Sequence, residues 1–304
     1  MIDSWNEIRQ WRKEKRAELI AQREALEPLR RRQMNAAITA HLEAGFGRLV
    51  AVTVGFCWPF KNEFDARFVI RRWRDAGAMA ALPVVIQKAS PLQFRAWWPG
   101  APMTKGVYDI PIPDGTALVV PDAAIVPMNG FDAQGYRLGY GGGYFDRTLD
   151  ATHPPPLAIG VAFEFAGLPS IRPQPHDVPM DFVVTEAGIY VAENAHLLCI
   201  SASACDTRVE KILRERGLPR KRPEAVAGFF YHAWLLALVH LVTIGWITFS
   251  ILGVFYIVGP VALRMDMAPR KMDRAGYAFA VIGLVGMVGH FWIQEYGGMA
   301  WSAM

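Results

Sequence analysis

The sequence predicts an α/β fold: a three-layer αβα sandwich around a mostly parallel sheet, followed by two C-terminal transmembrane helices. Three observations lead there. Short, β-branched apolar runs alternate with helical stretches through residues 1–206, the pattern of strands joined by crossover helices. Residues 229–258, "FFYHAWLLALVHLVTIGWITFSILGVFYIV", and 275–294, "AGYAFAVIGLVGMVGHFWIQ", contain no Asp, Glu, Lys or Arg. About 20 such residues are enough to cross a bilayer. Finally, 304 residues suggest roughly two domains as a prior.

Each element follows from its residues. Residues 4–27 are rich in Glu, Arg, Lys, Ala and Leu, with Trp5, Ile8, Trp11 and Leu19 at roughly helical spacing. A second helix is expected over 29–43, after Pro28, which is well placed at a helix start. "RLVAVTVGF" (48–56) reads as a buried strand. "FDARFVIRRWRDAG" (64–77) reads as a helix stopped by Gly77. Strands are then expected within 80–87, 92–98, 117–127, 157–163 and 181–185. A catalytic domain over 1–206, a basic linker over 207–228 and a membrane region over 229–304 complete the organisation, so that deleting 207–304 should leave an active enzyme.

The charges support this orientation. The net charge is only +4, and no nucleic-acid partner is expected. Arg208, Lys211, Arg214, Arg216, Arg220, Lys221 and Arg222 precede the first apolar run, which marks that side as cytoplasmic. The segment between the two runs is also net basic, so the topology signal is mixed. The N-terminal residues lack the apolar stretch of a signal peptide. Cys57, Cys199 and Cys205 show neither metal spacing nor an even-numbered disulfide framework, in keeping with a reducing compartment.

"RLGYGGGYFDRTL" (137–149) stands between a strand-like and a helix-like stretch, with Arg137 and Asp146 on either side of four glycines. Glycines let backbone N–H groups approach an anion, and a helix N-terminus adds partial positive charge. An arginine fork suits phosphate oxygens. Asp146 suits a Mg²⁺ ion carried between carboxylate and nucleotide. The spacing fits neither of the two common nucleotide-binding glycine motifs. On the glycines alone, a structural turn and a phosphate loop stay equally open.

The wider context is more specific. "GFDAQGYRLGYGGGYFDRTL" (130–149), "PLQFRAWWPG" (91–100), "GVYDIPIP" (106–113), "VVPDAAIVPMNGFD" (119–132), "IGVAFEF" (159–165) and "PHDVPMDFVVTE" (175–186) resemble successive blocks of the 5-formyltetrahydrofolate cyclo-ligase family. The resemblance covers about residues 8–190 and does not reach 207–304. It implies ATP- and Mg²⁺-dependent closure of 5-formyltetrahydrofolate to 5,10-methenyltetrahydrofolate. In that chemistry the formyl oxygen is phosphorylated, N10 attacks the activated carbon, and phosphate leaves.

The resemblance also implies a site. Residues 137–145 (Arg137, Leu138, Gly139, Tyr140, Gly141, Gly142, Gly143, Tyr144 and Phe145) match the loop that wraps the ATP phosphates. Within it Arg137 and Tyr144 are the candidates for catalysis, while Tyr140 and Tyr144 also touch the folate. Arg12 and Arg16, four apart on one helical face, match a basic pair that reaches ATP. Asp146 and Asp177 match Mg²⁺ ligands. Glu63 matches a glutamate on the pterin edge, and Trp58 a folate-wall position. Many relatives carry Arg where Tyr140 stands and Lys where Gly142 stands, which puts two phosphate-facing cations in question. Arg137, Arg147, Lys105 or the N-terminal arginines are the candidates to compensate. A different class of function, a membrane-tethered nucleotide- or folate-binding protein with reduced or no turnover, rests on those two departures. Joining of the tail from a neighbouring reading frame is a third possibility.

Overall fold

The computed structural model describes residues 5–218. The two apolar runs, 229–258 and 275–294, and the membrane helices expected there lie outside the described residues. Among the described residues no helix is long and apolar enough to cross a membrane.

Chain order begins with two helices, α1 (Trp5–Glu24) and α2 (Pro28–Gly45). There follow β1 (Thr53–Phe56), α3 (Arg67–Asp75), β2 (Met79–Val84) and β3 (Gln93–Trp97). A small hairpin, β4 (Met103–Lys105) with β5 (Pro111–Pro113), leads to β6 (Leu118–Val119) and β7 (Ala123–Pro127). Then come β8 (Gly130–Asp132), β9 (Arg137–Leu138), α4 (Tyr144–Ala151) and β10 (Leu157–Val161). The described chain closes with β11 (Gly167–Leu168), β12 (Phe182–Val184), β13 (Ile189–Glu193), β14 (His196–Ile200) and α5 (Ala202–Glu215).

Among the described residues the main sheet has nine strands in the order β14-β13-β12-β10-β7-β1-β2-β3-β6. Its five central strands, β12 to β2, pair in parallel. Antiparallel strands extend both edges: β13 and β14 on one side, β3 and β6 on the other. Successive side chains of a strand face opposite layers, and the central strands are apolar on both faces. Ala123, Ile125, Leu157, Ile159, Phe182 and Val184 face the core built with α2, α3 and α5. Ala124, Val126, Ala158 and Val183 face a second core that holds Leu19 of α1 and Leu149 of α4. These two cores make the three layers.

Several elements differ from expectation. The expected strand over 48–56 is extended only from Thr53, because Gly47–Ala51 winds as a 3-10 turn that buries Leu49. The β13–β14 hairpin was not expected, although β13 alternates buried Ile189 and Val191 with half-buried Tyr190 and Ala192. Residues 202–215 form α5, capped by Ser201 accepting from the Ala204 N–H. It buries Cys205, Val209 and Leu213 against the sheet, and Leu218 beyond it is also buried. The packed core therefore continues past 206, as far as Leu218 among the described residues.

The chain runs outward from β1 through β2, β3 and β6, then returns to β7 on the other side of β1 and runs outward again. In an open parallel sheet such a reversal leaves a crevice beyond the C-terminal ends of the two strands, and ligands bind there. Here the crevice opens after Phe56 of β1 and Pro127 of β7.

Candidate active site

A pocket lies at that point, lined among others by Arg23, Glu63, Phe64, Asn129 and Phe163. Glu63 follows β1, Asn129 follows β7, and α1 lays Arg23 across both. Arg23 is 4% exposed and Glu63 is 7% exposed, so both charges are out of water and must be met by the protein. The Arg23 guanidinium donates to the Lys61 carbonyl (2.8 Å), to Asn129 Oδ1 (3.0 Å) and to the Tyr140 hydroxyl (3.0 Å). Tyr140 in turn donates to Glu63 Oε1 at 2.8 Å, and the Phe60 N–H donates to Oε2 at 3.0 Å. Burial raises the Glu63 carboxyl above its ordinary range, against the pull of Arg23, Tyr140 and the Phe60 N–H. Burial likewise raises the Tyr140 phenol, and the Glu63 charge adds to it. The carboxylate keeps a free lone pair on each oxygen for a ligand.

Beside this pocket runs the glycine loop. Gly141 and Gly143 adopt φ of 91° and 62°, left-handed backbone that side chains with a Cβ resist. A Cβ on Gly139 would collide with the Arg137 guanidinium. One on Gly141 would lie 3.2 Å from Arg16 Nη2, and one on Gly143 2.8 Å from Arg147 Nη1. Three guanidinium groups thus close on a bare stretch of backbone. Arg16 is anchored through its Nε to the Gly139 carbonyl, and Arg147 donates to the Gly142 carbonyl at 2.7 Å. Gly143 leads directly into α4 and caps it without a side chain, which leaves the first N–H groups of the helix open.

The acidic candidates stand at the far side of the loop. Arg137 donates to Asp146 Oδ2 at 2.8 Å, with its guanidinium 5.4 Å from the centre of the Phe145 ring. Burial pulls the Arg137 guanidinium down, while Asp146 and Asp177 support its charge. The Val178 N–H donates to Asp146 Oδ1 at 3.3 Å, so the turn bearing Asp177 docks on Asp146. Asp177 accepts from Arg12 at 2.6 Å and from the Gln174 N–H at 2.7 Å. Burial would raise the Asp177 carboxyl, but the Arg12 hydrogen bond and the Gln174 N–H bring it below its ordinary value. Arg12 also holds the carbonyls of Ile171 and Arg172.

Most of the residues expected from sequence therefore gather here: Arg12, Arg16, Glu63, 137–146 and Asp177. Some do so by other means than expected. Leu138 turns its side chain into the second core, at 1% exposure, which leaves only its backbone for the loop. Tyr144 lays its ring over Gly142, and Phe145 packs under Arg137. Trp58 stands apart from the pocket lining, edge-on to Trp97 and with the Arg67 guanidinium 4.6 Å over its ring. Lys105 is exposed on the β4–β5 hairpin and faces Asp109 at 3.6 Å. Of the proposed compensating cations, Arg16, Arg137 and Arg147 surround the loop.

Two residues were missed. Arg23 lies seven residues after Arg16 and eleven after Arg12, on the same helical face, and that spacing was the available signal. Asn129, the residue two after the end of β7, carried no pattern.

The comparisons with known proteins agree with this geometry. Residues 8–186 match the model of the 5-formyltetrahydrofolate cyclo-ligase family. The 5-formyltetrahydrofolate cyclo-ligase of Escherichia coli K12 is 28% identical over 175 residues, 55% of this chain and 96% of that protein. That of Mycolicibacterium smegmatis is 34% identical over 147 residues, 46% of this chain and 74% of that protein. The NMR structure of Aquifex aeolicus 5,10-methenyltetrahydrofolate synthetase superposes with a TM-score of 0.54 at 25% identity, covering 60% of this chain and 93% of that one. With its parallel sheet, its crevice and its arginine-lined glycine loop, the chain belongs to the 5-formyltetrahydrofolate cyclo-ligase family.

Proposed function

We propose that the chain closes 5-formyltetrahydrofolate to 5,10-methenyltetrahydrofolate at the expense of ATP, releasing ADP and phosphate. The observation that carries this reading is the set of guanidinium groups of Arg16, Arg137 and Arg147 around the glycine loop. A triphosphate brings several negative charges, and a loop without side chains lets it reach both backbone N–H groups and arginines. An amide oxygen is a poor leaving group and phosphate a good one. The formyl oxygen attacks the γ-phosphorus, the bond to ADP breaks, and N10 then adds to the formyl carbon as phosphate departs with the C–O electron pair. The N10 proton passes to solvent. The protein's part is to align the two substrates and to spread the charge of the transferring group.

Glu63 is assigned to the pterin edge, where its two oxygens accept adjacent N–H groups. Arg12, Arg16 and residues 137–145 are assigned to ATP, with Arg137 and Tyr144 nearest the transferring phosphoryl group. Tyr140 is assigned to both substrates and Trp58 to the outer folate wall. Asp146 and Asp177 offer hard oxygen donors on neighbouring turns, which suits Mg²⁺. Among the described residues no group of three or more His, Cys, Asp or Glu forms a metal cage. Nucleotide oxygens and water would therefore complete the coordination. Bound there, Mg²⁺ would neutralise phosphate charge.

The experiment is direct. The full-length protein with ATP, Mg²⁺ and 5-formyltetrahydrofolate should generate the near-UV absorbance of the methenyl product. Glu63→Gln should raise the apparent folate constant by roughly tenfold or more, the loss of a charge-assisted pair, with little change for ATP. A rise in the ATP constant instead would move Glu63 to the nucleotide site. Gly141→Ala should act on the other substrate, raising the ATP constant severalfold through its left-handed φ and its contact with Arg16.

For the remainder of the chain, we propose a cytoplasmic catalytic domain anchored to the membrane by helices over about 229–258 and 275–294. Support comes from the lengths of these runs and their lack of charge.

A further inference from the structure

Asn129 is 3% exposed and lines the pocket beside Glu63. Its Oδ1 accepts from Arg23 Nη1 at 3.0 Å. A guanidinium has donors and no acceptor, so the amide cannot be turned the other way. The Nδ2 group is thereby fixed, and it is a buried donor with no partner among the described residues. Such a group costs stability unless something else fills it. The same Arg23 fork that orients Asn129 also holds Tyr140, which donates to Glu63. One arginine therefore sets a donor and a carboxylate side by side in one pocket.

We infer that Asn129 is a specificity-determining residue whose Nδ2 donates to the ring carbonyl of a lactam, the C4 oxygen of a 4-oxopteridine whose N3–H and 2-amino group face Glu63. This rests on the folate reading of the pocket and deepens it. The two residues together read the sequence donor, donor, acceptor along the pterin edge. A 2,4-diaminopteridine presents a donor at C4 and no N3–H, and meets the Asn129 donor with another donor.

The test compares equilibrium binding of 5-formyltetrahydrofolate with that of its 4-amino-4-deoxy analogue, in the full-length wild type and in Asn129→Asp. The aspartate keeps an oxygen for Arg23 and replaces the donor by an acceptor, so the Arg23 contact and the fold are retained. Glu63 also discriminates between the ligands, and the change in their affinity ratio on substitution isolates Asn129. Wild type should prefer the 4-oxo ligand, and Asn129→Asp should cut that preference by roughly ten- to a hundredfold. Asn129→Leu, which removes the donor without adding an acceptor, should fall between them. An unchanged ratio in both variants overturns the inference, as does equal binding of both ligands by wild type. Methenyl formation by the wild type is read in parallel. Turnover with an unchanged ratio overturns this inference alone, whereas absence of turnover and of binding to either ligand overturns the folate reading with it.

Discussion

Asp146→Asn is expected to lower turnover by roughly a hundredfold or more while the protein remains folded. Asparagine keeps the size of the side chain and an oxygen for Arg137 Nη2, which now binds Asp146 at 2.8 Å. What disappears is the negative charge, and two roles for that charge predict different results. If Asp146 only balances the buried Arg137, the variant loses stability, by about 3–5 kcal/mol for an uncompensated buried charge. Its loop then becomes more positive, and ATP binding holds or tightens. If Asp146 holds Mg²⁺ against the nucleotide, the half-saturating Mg²⁺ concentration rises at least severalfold at fixed ATP, and kcat falls even where Mg²⁺ saturates. A Mg²⁺ titration of methenyl formation, with a thermal melt alongside, separates the two. Near-normal activity at limiting Mg²⁺ would remove Asp146 from the metal site.

The central strands were legible because both their faces are buried. Runs such as "VGF" and "AAIVP" are apolar at every position, as strands of a parallel sheet covered on both faces require. The edges were not legible for the complementary reason. β14 leaves His196 and Leu198 exposed, so its sequence carries little more than its neighbours' register. At the site, the glycines announced the loop because their conformations exclude other residues. The network behind it was hidden. Arg23 meets partners 38 and 106 positions away in the chain, and an arginine on a helix rich in Glu, Lys and Arg reads as a solvated charge. Tyr140 illustrates the same limit. In sequence it is a missing cation, whereas in the fold its hydroxyl bridges Arg23 and Glu63, and the guanidinium groups of Arg16 and Arg147 lie against the loop.

Truncation of the chain after residue 206 is expected to abolish folding, and truncation after Arg222 to preserve it. The first cut leaves only the opening turn of α5 and removes Val209, Leu213 and Leu218, whose exposures are 0%, 2% and 8%. Burying each such side chain contributes about 1.5–3 kcal/mol. The three together approach the whole net stability of an ordinary domain, about 5–15 kcal/mol. Polar losses add to this. Arg216 binds both oxygens of Asp181 and the Pro156 carbonyl, and Asp181 in turn accepts from the Ala158 N–H in the parallel sheet. Without Arg216, a largely buried carboxylate between β10 and β12 loses its countercharge. Nearer the start of α5, Arg48 loses Glu210 while Asp206 remains only as a frayed chain end. The 1–222 protein keeps all of these contacts and discards both apolar runs, so it should be soluble without detergent and should still form the methenyl product. Circular dichroism, thermal unfolding and the absorbance assay on the two truncations decide the matter. A 1–206 protein that melts with the 1–222 protein would mean that α5 is dispensable to the sheet it covers. An insoluble 1–222 protein would mean that residues beyond 222 complete the core, and the proposed anchor would then be part of the enzyme itself.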